Sequence, residues 1–138
     1  MVQCLSHITF IVLDLDKMTR IVTDVLGGCE VYVSGAKQHS ISPEKFFDVG
    51  GIWIAIMQGD PLPARTYNHV AFKVSASRLV KAKLAIEKLG LDMRESRPRV
   101  AGEGLSLYFH DYDNHLFELH SGTLEERLAA YSELDQRP

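Results

Sequence analysis

Cysteine is scarce. Only Cys4 and Cys29 occur, and neither belongs to a Cys-x-x-Cys pair. That excludes a disulfide scaffold and a cysteine-rich zinc site, and it suits a reducing cytoplasm as the place where the chain works. Long hydrophobic runs are missing too, since none reaches the roughly 18 residues that a membrane span needs. The first residues carry neither the basic segment nor the apolar stretch of a secretory signal. Basic charge is not concentrated either: Lys+Arg is 15 against 18 for Asp+Glu, a formal net charge of -3. Such a chain lacks the electrostatic footprint of a nucleic-acid binder or of a protein drawn to anionic membranes. What is present is ordinary for a globular protein, with 46% hydrophobic and 24% charged residues, and this excludes a disordered chain. A length of 138 residues fits one domain spanning the whole chain, or two small modules sharing one core.

A repeat organises the sequence. Ser6-His7-Ile8-Thr9-Phe10-Ile11-Val12 resembles Asn68-His69-Val70-Ala71-Phe72-Lys73-Val74 at an offset of 62 residues (69 minus 7). Both runs are rich in β-branched and aromatic residues and read as strands. A helix is expected after each. The first runs from about Asp14 to Leu26, with Asp14 or Asp16 as N-cap and Gly27-Gly28 as its stop. The second runs from about Ser77 to Leu89, capped by Ser75 or Ser77 and stopped by Gly90. Its apolar stripe is Leu79, Ala82, Leu84, Ile86 and Leu89. Strands then follow near Glu30–Val33, Lys45–Val49 and Ile52–Met57 in the first half, with a turn at Gly50-Gly51. In the second half they fall near Asp92–Arg94, Leu105–His110 and His115–His120, with a turn at Asp111-Tyr112-Asp113-Asn114.

Each half therefore reads β-α-β-β-β, an α+β pattern. Module one covers about residues 4–60 and module two about 66–120, joined through Asp60-Pro61-Leu62-Pro63. A module this small cannot bury its sheet alone, so two are expected to pair. A last helix, about 123–134, opens with Thr123 and Glu126 at capping-box spacing, and Leu124, Leu128 and Tyr131 fall on one face.

Strand alternation selects candidate functional residues, because positions two apart share a face. His7 and Thr9 point one way, and His69 and Ala71 do so in the repeat. Glu118 sits inside the apolar Leu116-Phe117-Glu118-Leu119, with Leu116 and His120 on its side. Overlaying the two hairpins places Ile54 opposite Glu118. Four equivalent inward positions then hold His7, His69, Glu118 and Ile54, of which three can ligate a metal. Two imidazoles and a carboxylate without thiolate suit Mn²⁺, Fe²⁺, Ni²⁺ or Zn²⁺. Three protein ligands leave coordination places open, as catalytic metals require. An unpartnered buried carboxylate is costly, and a metal would account for it. His39, His110, His115 and His120 lack this repeat support and are read as loop or surrounding residues.

Taken together, several segments resemble the vicinal oxygen chelate superfamily, and within it the fosfomycin-resistance proteins of the FosX type. They are Leu5-Ser6-His7-Ile8-Thr9-Phe10, Ser42-Pro43-Glu44-Lys45-Phe46-Phe47, Gly51-Ile52-Trp53-Ile54-Ala55-Ile56-Met57, Arg65-Thr66-Tyr67-Asn68-His69, Arg97-Pro98-Arg99-Val100-Ala101-Gly102-Glu103-Gly104 and Asp113-Asn114-His115-Leu116-Phe117-Glu118-Leu119-His120. The resemblance runs from Leu5 to about Tyr131. It implies paired βαβββ modules forming a cup-shaped mixed sheet around a divalent metal. It implies Mn²⁺ on His7, His69 and Glu118, and Glu44 as general base. It brings Thr9, Tyr108 and Arg127 toward the substrate's oxygens and phosphonate, with Tyr67 and Trp53 as walls. Arg97 and Arg99, ahead of Gly102-Glu103-Gly104, read as a flexible cationic lid over a dianion. Two features depart from the pattern. Ile21-Val22 replaces an aromatic pair late in the first helix, and Ala101–Leu105 lacks the serine-rich potassium loop of the glutathione-transferring branch.

The activity so implied is Mn²⁺-dependent hydration of the fosfomycin epoxide at C1, which gives a diol phosphonate. Rival readings are a transferase adding a thiol such as glutathione to the same epoxide, another metal enzyme on this scaffold (an isomerase or an iron dioxygenase), and a metal-free antibiotic-binding protein. Exposed sheet edges and the resemblance both point to a homodimer. The resemblance further implies exchange of modules between subunits, so that each site takes His7 from one chain and His69 with Glu118 from the other.

Overall fold

The computed structural model describes residues 1–136. The described chain divides into two units: 1–65 with 111–115, and 66–110 with 116 onward. The first carries β1 (His7–Val12), α1 (Leu15–Arg20), β2 (Cys29–Val33), β3 (Glu44–Val49) and β4 (Ile52–Gln58). The second carries β5 (His69–Lys73), α2 (Ala76–Lys88), β6 (Asp92–Arg94), β7 (Ser106–His110), β8 (Leu116–His120) and α3 (Leu124–Asp135). Each unit holds a four-stranded mixed sheet, in the order β1-β4-β3-β2 in the first and β5-β8-β7-β6 in the second. The expected βαβββ repeat is thus present twice, in an α+β fold. Among the described residues no helix is long and apolar enough to cross a membrane.

The local reasons for these elements are plain. Asp14 caps α1, its carboxylate accepting the N–H groups of Asp16 and Lys17 at 2.9 and 3.0 Å, which decides between the two capping candidates. The helix does not run on as α to Leu26, because Ile21–Val25 forms a π-helical turn. The wider turn lets Ile21, Val22 and Val25 all bury, so the pair that replaces the family's aromatics is core. Gly50 and Gly51, both with positive φ (60° and 84°), make the tight β3–β4 hairpin that other residues would strain. Asn114, at φ 70°, serves the turn between β7 and β8. That turn belongs to the first unit, where Asp113 accepts the Leu13 N–H at 2.9 Å.

In the first unit the core face carries Phe10, Val12, Phe47, Ile54 and Ile56 beneath α1 and the π-turn. In the second it carries Phe72, Phe109, Phe117 and Leu119 together with Ala82 and Ile86 of α2. Leu84, expected in the α2 stripe, is exposed instead. Leu124, Leu128 and Tyr131, expected on one face of α3, are likewise exposed, and Ala130 is the residue of that helix that buries. The Thr123–Glu126 capping box forms as expected.

Candidate active site

Strand register fixes which side chains share a face. In the first unit β1 pairs in parallel with β4, His7 beside Trp53 and Thr9 beside Ala55, and β3 runs antiparallel to β4 with Glu44 beside Met57 and Phe46 beside Ala55. His7, Thr9, Glu44 and Trp53 therefore project from the face opposite the core. His7 lies against Trp53 with ring centroids 4.4 Å apart. Glu44 is the first residue of β3 rather than a loop residue ahead of it, and its side chain is buried. Its N–H donates to Ser34 Oγ at 2.9 Å, and its carbonyl accepts the Ser34 N–H at 2.9 Å. Together these fix the backbone from which the carboxylate projects.

The register corrects one placement. Glu118 pairs with Ala71 on β5, and the corresponding partner of Thr9 on β4 is Ala55. The position equivalent to Glu118 is thus Ala55, while Ile54 points into the core. The overlay missed by one residue because the β7–β8 turn is longer than Gly50-Gly51, and a one-residue slip reverses the face.

In the second unit His69, Tyr108 and Glu118 share the face away from the core, with Tyr108 directly beside Glu118 across β7 and β8. His69 Nε2 lies 3.0 Å from Glu118 Oε2. The other ring nitrogen, Nδ1, lies 2.8 Å from the carbonyl oxygen of Tyr67. A carbonyl can only accept, so Nδ1 carries a proton and Nε2 is the nitrogen that faces the carboxylate. Nε2 and Oε2 thus face each other at hydrogen-bond distance, an arrangement that calls for positive charge between them, whether a proton on Nε2 or a metal ion. A divalent cation held by one imidazole nitrogen and one carboxylate oxygen, with a backbone carbonyl orienting the ring, satisfies it.

The second oxygen of Glu118 is fully engaged. Oε1 accepts from Ser106 Oγ and from Arg99 Nη2 at 3.2 Å. Burial would raise the Glu118 pKa, but hydrogen bonds from Ser106, Tyr108 and Arg99 and the charge of Arg99 outweigh it and hold the carboxyl below its usual range. Ser106 Oγ also lies 2.7 Å from His120 Nδ1, and His120 Nε2 lies 3.4 Å from Arg127 Nη2. One proton order satisfies the whole chain: Arg127 donates to His120, His120 to Ser106 and Ser106 to Glu118. Burial, with the charges of Arg127 and Arg99, lowers the His120 pKa and favours this neutral ring. Arg127 is therefore turned toward His120 rather than solvated, and His120 belongs to the network around Glu118.

Tyr67 stands with its ring 5.0 Å from that of His69, and the Arg94 guanidinium lies 5.0 Å from the Tyr67 ring centroid. Arg99 donates to the Tyr108 hydroxyl at 3.1 Å. The expected flexible lid is instead a pinned loop. Arg97 and Arg99 both pair with the fully buried Glu103, and Gly104, at φ 86°, lies backbone to backbone against Gly122. His110, expected in a loop or around the site, is buried in β7. His115 pairs with Asp111 at 2.7 Å in the turn.

The sequence reading overlooked Ser106 and the burial of Glu103. Ser106 was discoverable, being two residues before Tyr108 on the same strand face, whereas nothing local marks a Glu between glycines as buried. Among the described residues no group of three or more His, Cys, Asp or Glu side chains is gathered to hold a metal, so neither unit by itself supplies three such ligands.

No family model matches the chain. The fosfomycin resistance protein FosX of Mesorhizobium japonicum is 57% identical over 129 residues, covering 94% of this chain and 93% of that protein. A FosX structure from Listeria monocytogenes, complexed with Mn(II) and 1S,2S-dihydroxypropylphosphonic acid, superposes with a TM-score of 0.85 at 50% identity, covering 95% of this chain and 99% of that one. The metallothiol transferase FosB of Shouchella clausii is more distant, at 35% identity over 95% of this chain and 88% of its own length. A glyoxylase/bleomycin resistance protein/dioxygenase domain from Frankia shares the fold, with a TM-score of 0.71 at 22% identity over 90% of this chain and 95% of its own.

Proposed function

Because the chain belongs to the FosX family of fosfomycin resistance proteins, we propose that it is a Mn(II)-dependent hydrolase that opens the epoxide of fosfomycin with water. Attack falls at C1, the product is a vicinal diol phosphonate, and the outcome is resistance to the antibiotic. The observation that carries this reading is the diol phosphonate bound with Mn(II) in a FosX relative 50% identical to this chain. That ligand is what water, not a thiol, makes of the epoxide. The chain itself adds His69 Nε2 and Glu118 Oε2 facing each other at 3.0 Å, with the ring oriented by the Tyr67 carbonyl.

His69, Glu118 and His7 are the proposed ligands, with Mn²⁺ as the metal, although other divalent ions also suit the donor set. When bound, the metal supplies Lewis acidity to the departing epoxide oxygen. Glu44 takes the proton from the attacking water, and its buried position keeps the carboxylate from being satisfied by solvent. Arg99 offsets the charge of the phosphonate, which would otherwise repel a nucleophile. Its Nε is buried and makes no hydrogen bond among the described residues, so it is available to anionic oxygens. Tyr108 and Arg127 complete the phosphonate side, Thr9 reaches a substrate oxygen, and Tyr67 and Trp53 form walls. The two units act as halves of one vicinal oxygen chelate domain. The working form is a cytoplasmic homodimer in which His7 of one subunit joins His69 and Glu118 of the other, with no nucleic acid or membrane involved.

The test is phosphorus NMR of fosfomycin incubated with the protein and Mn²⁺, with and without glutathione. A diol signal independent of glutathione is expected. Conversion only with a thiol would replace the hydrolase by a transferase, and binding without conversion would leave a sequestering protein.

A further inference from the structure

Glu103 is the most thoroughly buried charged residue that the proposed mechanism leaves unused, with a relative exposure of 0%. Arg97 Nη1 lies 2.9 Å and Arg99 Nη1 3.5 Å from its Oε1, and Arg97 Nη2 donates to Oε2 at 3.2 Å. Burial alone would raise its pKa, but the hydrogen bond and charge of Arg97, with the Val100 backbone and the Tyr131 hydroxyl, pull it down to about 2. Arg97 also donates to Tyr131 Oη at 3.1 Å, which ties the loop to α3.

Arg99 reaches in two directions. While Nη1 approaches Glu103, Nη2 lies 3.2 Å from Glu118 Oε1 and 3.1 Å from Tyr108 Oη. One guanidinium is thus shared between two buried carboxylates, and the cluster of Arg97, Arg99, Glu103 and Glu118 balances two positive with two negative charges. A guanidinium left alone with a carboxylate in a water-poor setting favours the two-pronged pairing that occupies both oxygens. Glu118 does not bind Arg99 in that way. It gives Arg99 only Oε1, and Oε2 faces His69. Something must hold back the other half of the guanidinium, and the group in place to do it is Glu103.

We propose that Glu103 is a positioning residue, a counter-carboxylate that divides Arg99 between itself and Glu118 and so keeps Glu118 Oε2 open for the metal. The proposal rests on the reading that His69 and Glu118 hold Mn²⁺. Removing the charge at residue 103 frees Arg99 to take both oxygens of Glu118, and the guanidinium then competes with the metal. Removing Arg99 as well ends the competition.

The experiment is Mn²⁺ titration followed by electron paramagnetic resonance, on the full-length protein without substrate. Glu103→Gln should raise the Mn²⁺ dissociation constant about tenfold, a shift of about 1.4 kcal/mol. Adding Arg99→Gln to that variant should bring the constant back to within about threefold of the wild type, a coupling that independent sites do not show. A loop that had merely lost its packing would not be repaired by deleting a second buried group. Wild-type affinity in Glu103→Gln, or a double variant no better than the single, would overturn the proposal. If circular dichroism finds Glu103→Gln unfolded, Glu103→Asp, which keeps the charge but draws it back, carries the same comparison with and without Arg99→Gln. A wild-type protein that binds no Mn²⁺ would instead sink the underlying reading of the ligands.

Discussion

Glu44 and Glu118 are both buried carboxylates on exposed-face strand positions, yet their surroundings assign them different work. Glu118 is wrapped by Ser106, Arg99 and His69, which suits a ligand, whereas the contacts recorded for Glu44 fix its backbone and leave the carboxylate to act. Glu44→Gln keeps the shape and removes the base. It should retain Mn²⁺ and fosfomycin binding by calorimetry while hydration falls by about 10²–10⁴-fold, and near-normal turnover would remove Glu44 from the mechanism. Glu103 gives a second prediction at this scale. Its folded-state pKa is about 2 against an ordinary 4.5, so its contribution to stability is complete above about pH 4.5 and is lost as the pH falls toward 2. The melting-temperature gap between wild type and Glu103→Gln should therefore close over that window, and a gap unchanged from pH 7 to pH 2 would refute the ion cluster. The two histidines were legible because a repeat marks them, and Glu118 because an acid interrupts an apolar run. Ser106 was overlooked although the strand alternation that marks Tyr108 marks it too, whereas Glu103 was not legible, because its partners lie four and six residues back in an irregular loop where no periodicity operates.

Among the elements, strands and caps were legible because their rules are local. Asp14, the Thr123–Glu126 box and the Gly50-Gly51 turn all act where their chemistry predicts. Three things were not: the π-turn at Ile21–Val25, the exposure of Leu84, and the one-residue slip that put Ile54 where Ala55 stands. The first two depend on packing against another element rather than on neighbours in sequence, and the third on the greater length of the β7–β8 turn. The loop 97–104 is the clearest case, since glycines suggest mobility while the structure uses them for contact. A Cβ on Gly104 would stand 2.6 Å from Gly122 Cα, and its φ of 86° already disfavours a side chain. Gly104→Ala should cost about 2 kcal/mol or more by urea denaturation. It should also weaken fosfomycin binding, because Arg97 and Arg99 ride on the displaced loop. A variant as stable as the wild type would restore the picture of a free lid.

For the whole molecule, the sequence proposes two halves and the structure describes two units, each with a four-stranded sheet whose edge strands are β1 and β2 in the first and β5 and β6 in the second. An unpaired edge invites a partner strand. Neither unit alone gathers three metal-binding side chains among the described residues. If the working dimer builds each site from His7 of one subunit and His69 with Glu118 of the other, two dead variants can repair each other. His7→Ala and His69→Ala should each lack Mn²⁺ binding and activity. Mixed, unfolded and refolded together, they form heterodimers in which one site draws both intact residues and the other draws both damaged ones. With random pairing about half of the dimers are mixed and each carries one good site, so about a quarter of wild-type activity and of wild-type Mn²⁺ binding should return. A site built within one chain would leave every site in the mixture broken, and neither activity nor metal binding would return. Analytical ultracentrifugation of the same mixture separates this outcome from a failure to dimerise, because a monomer would sediment near 15.5 kDa and a dimer near twice that mass.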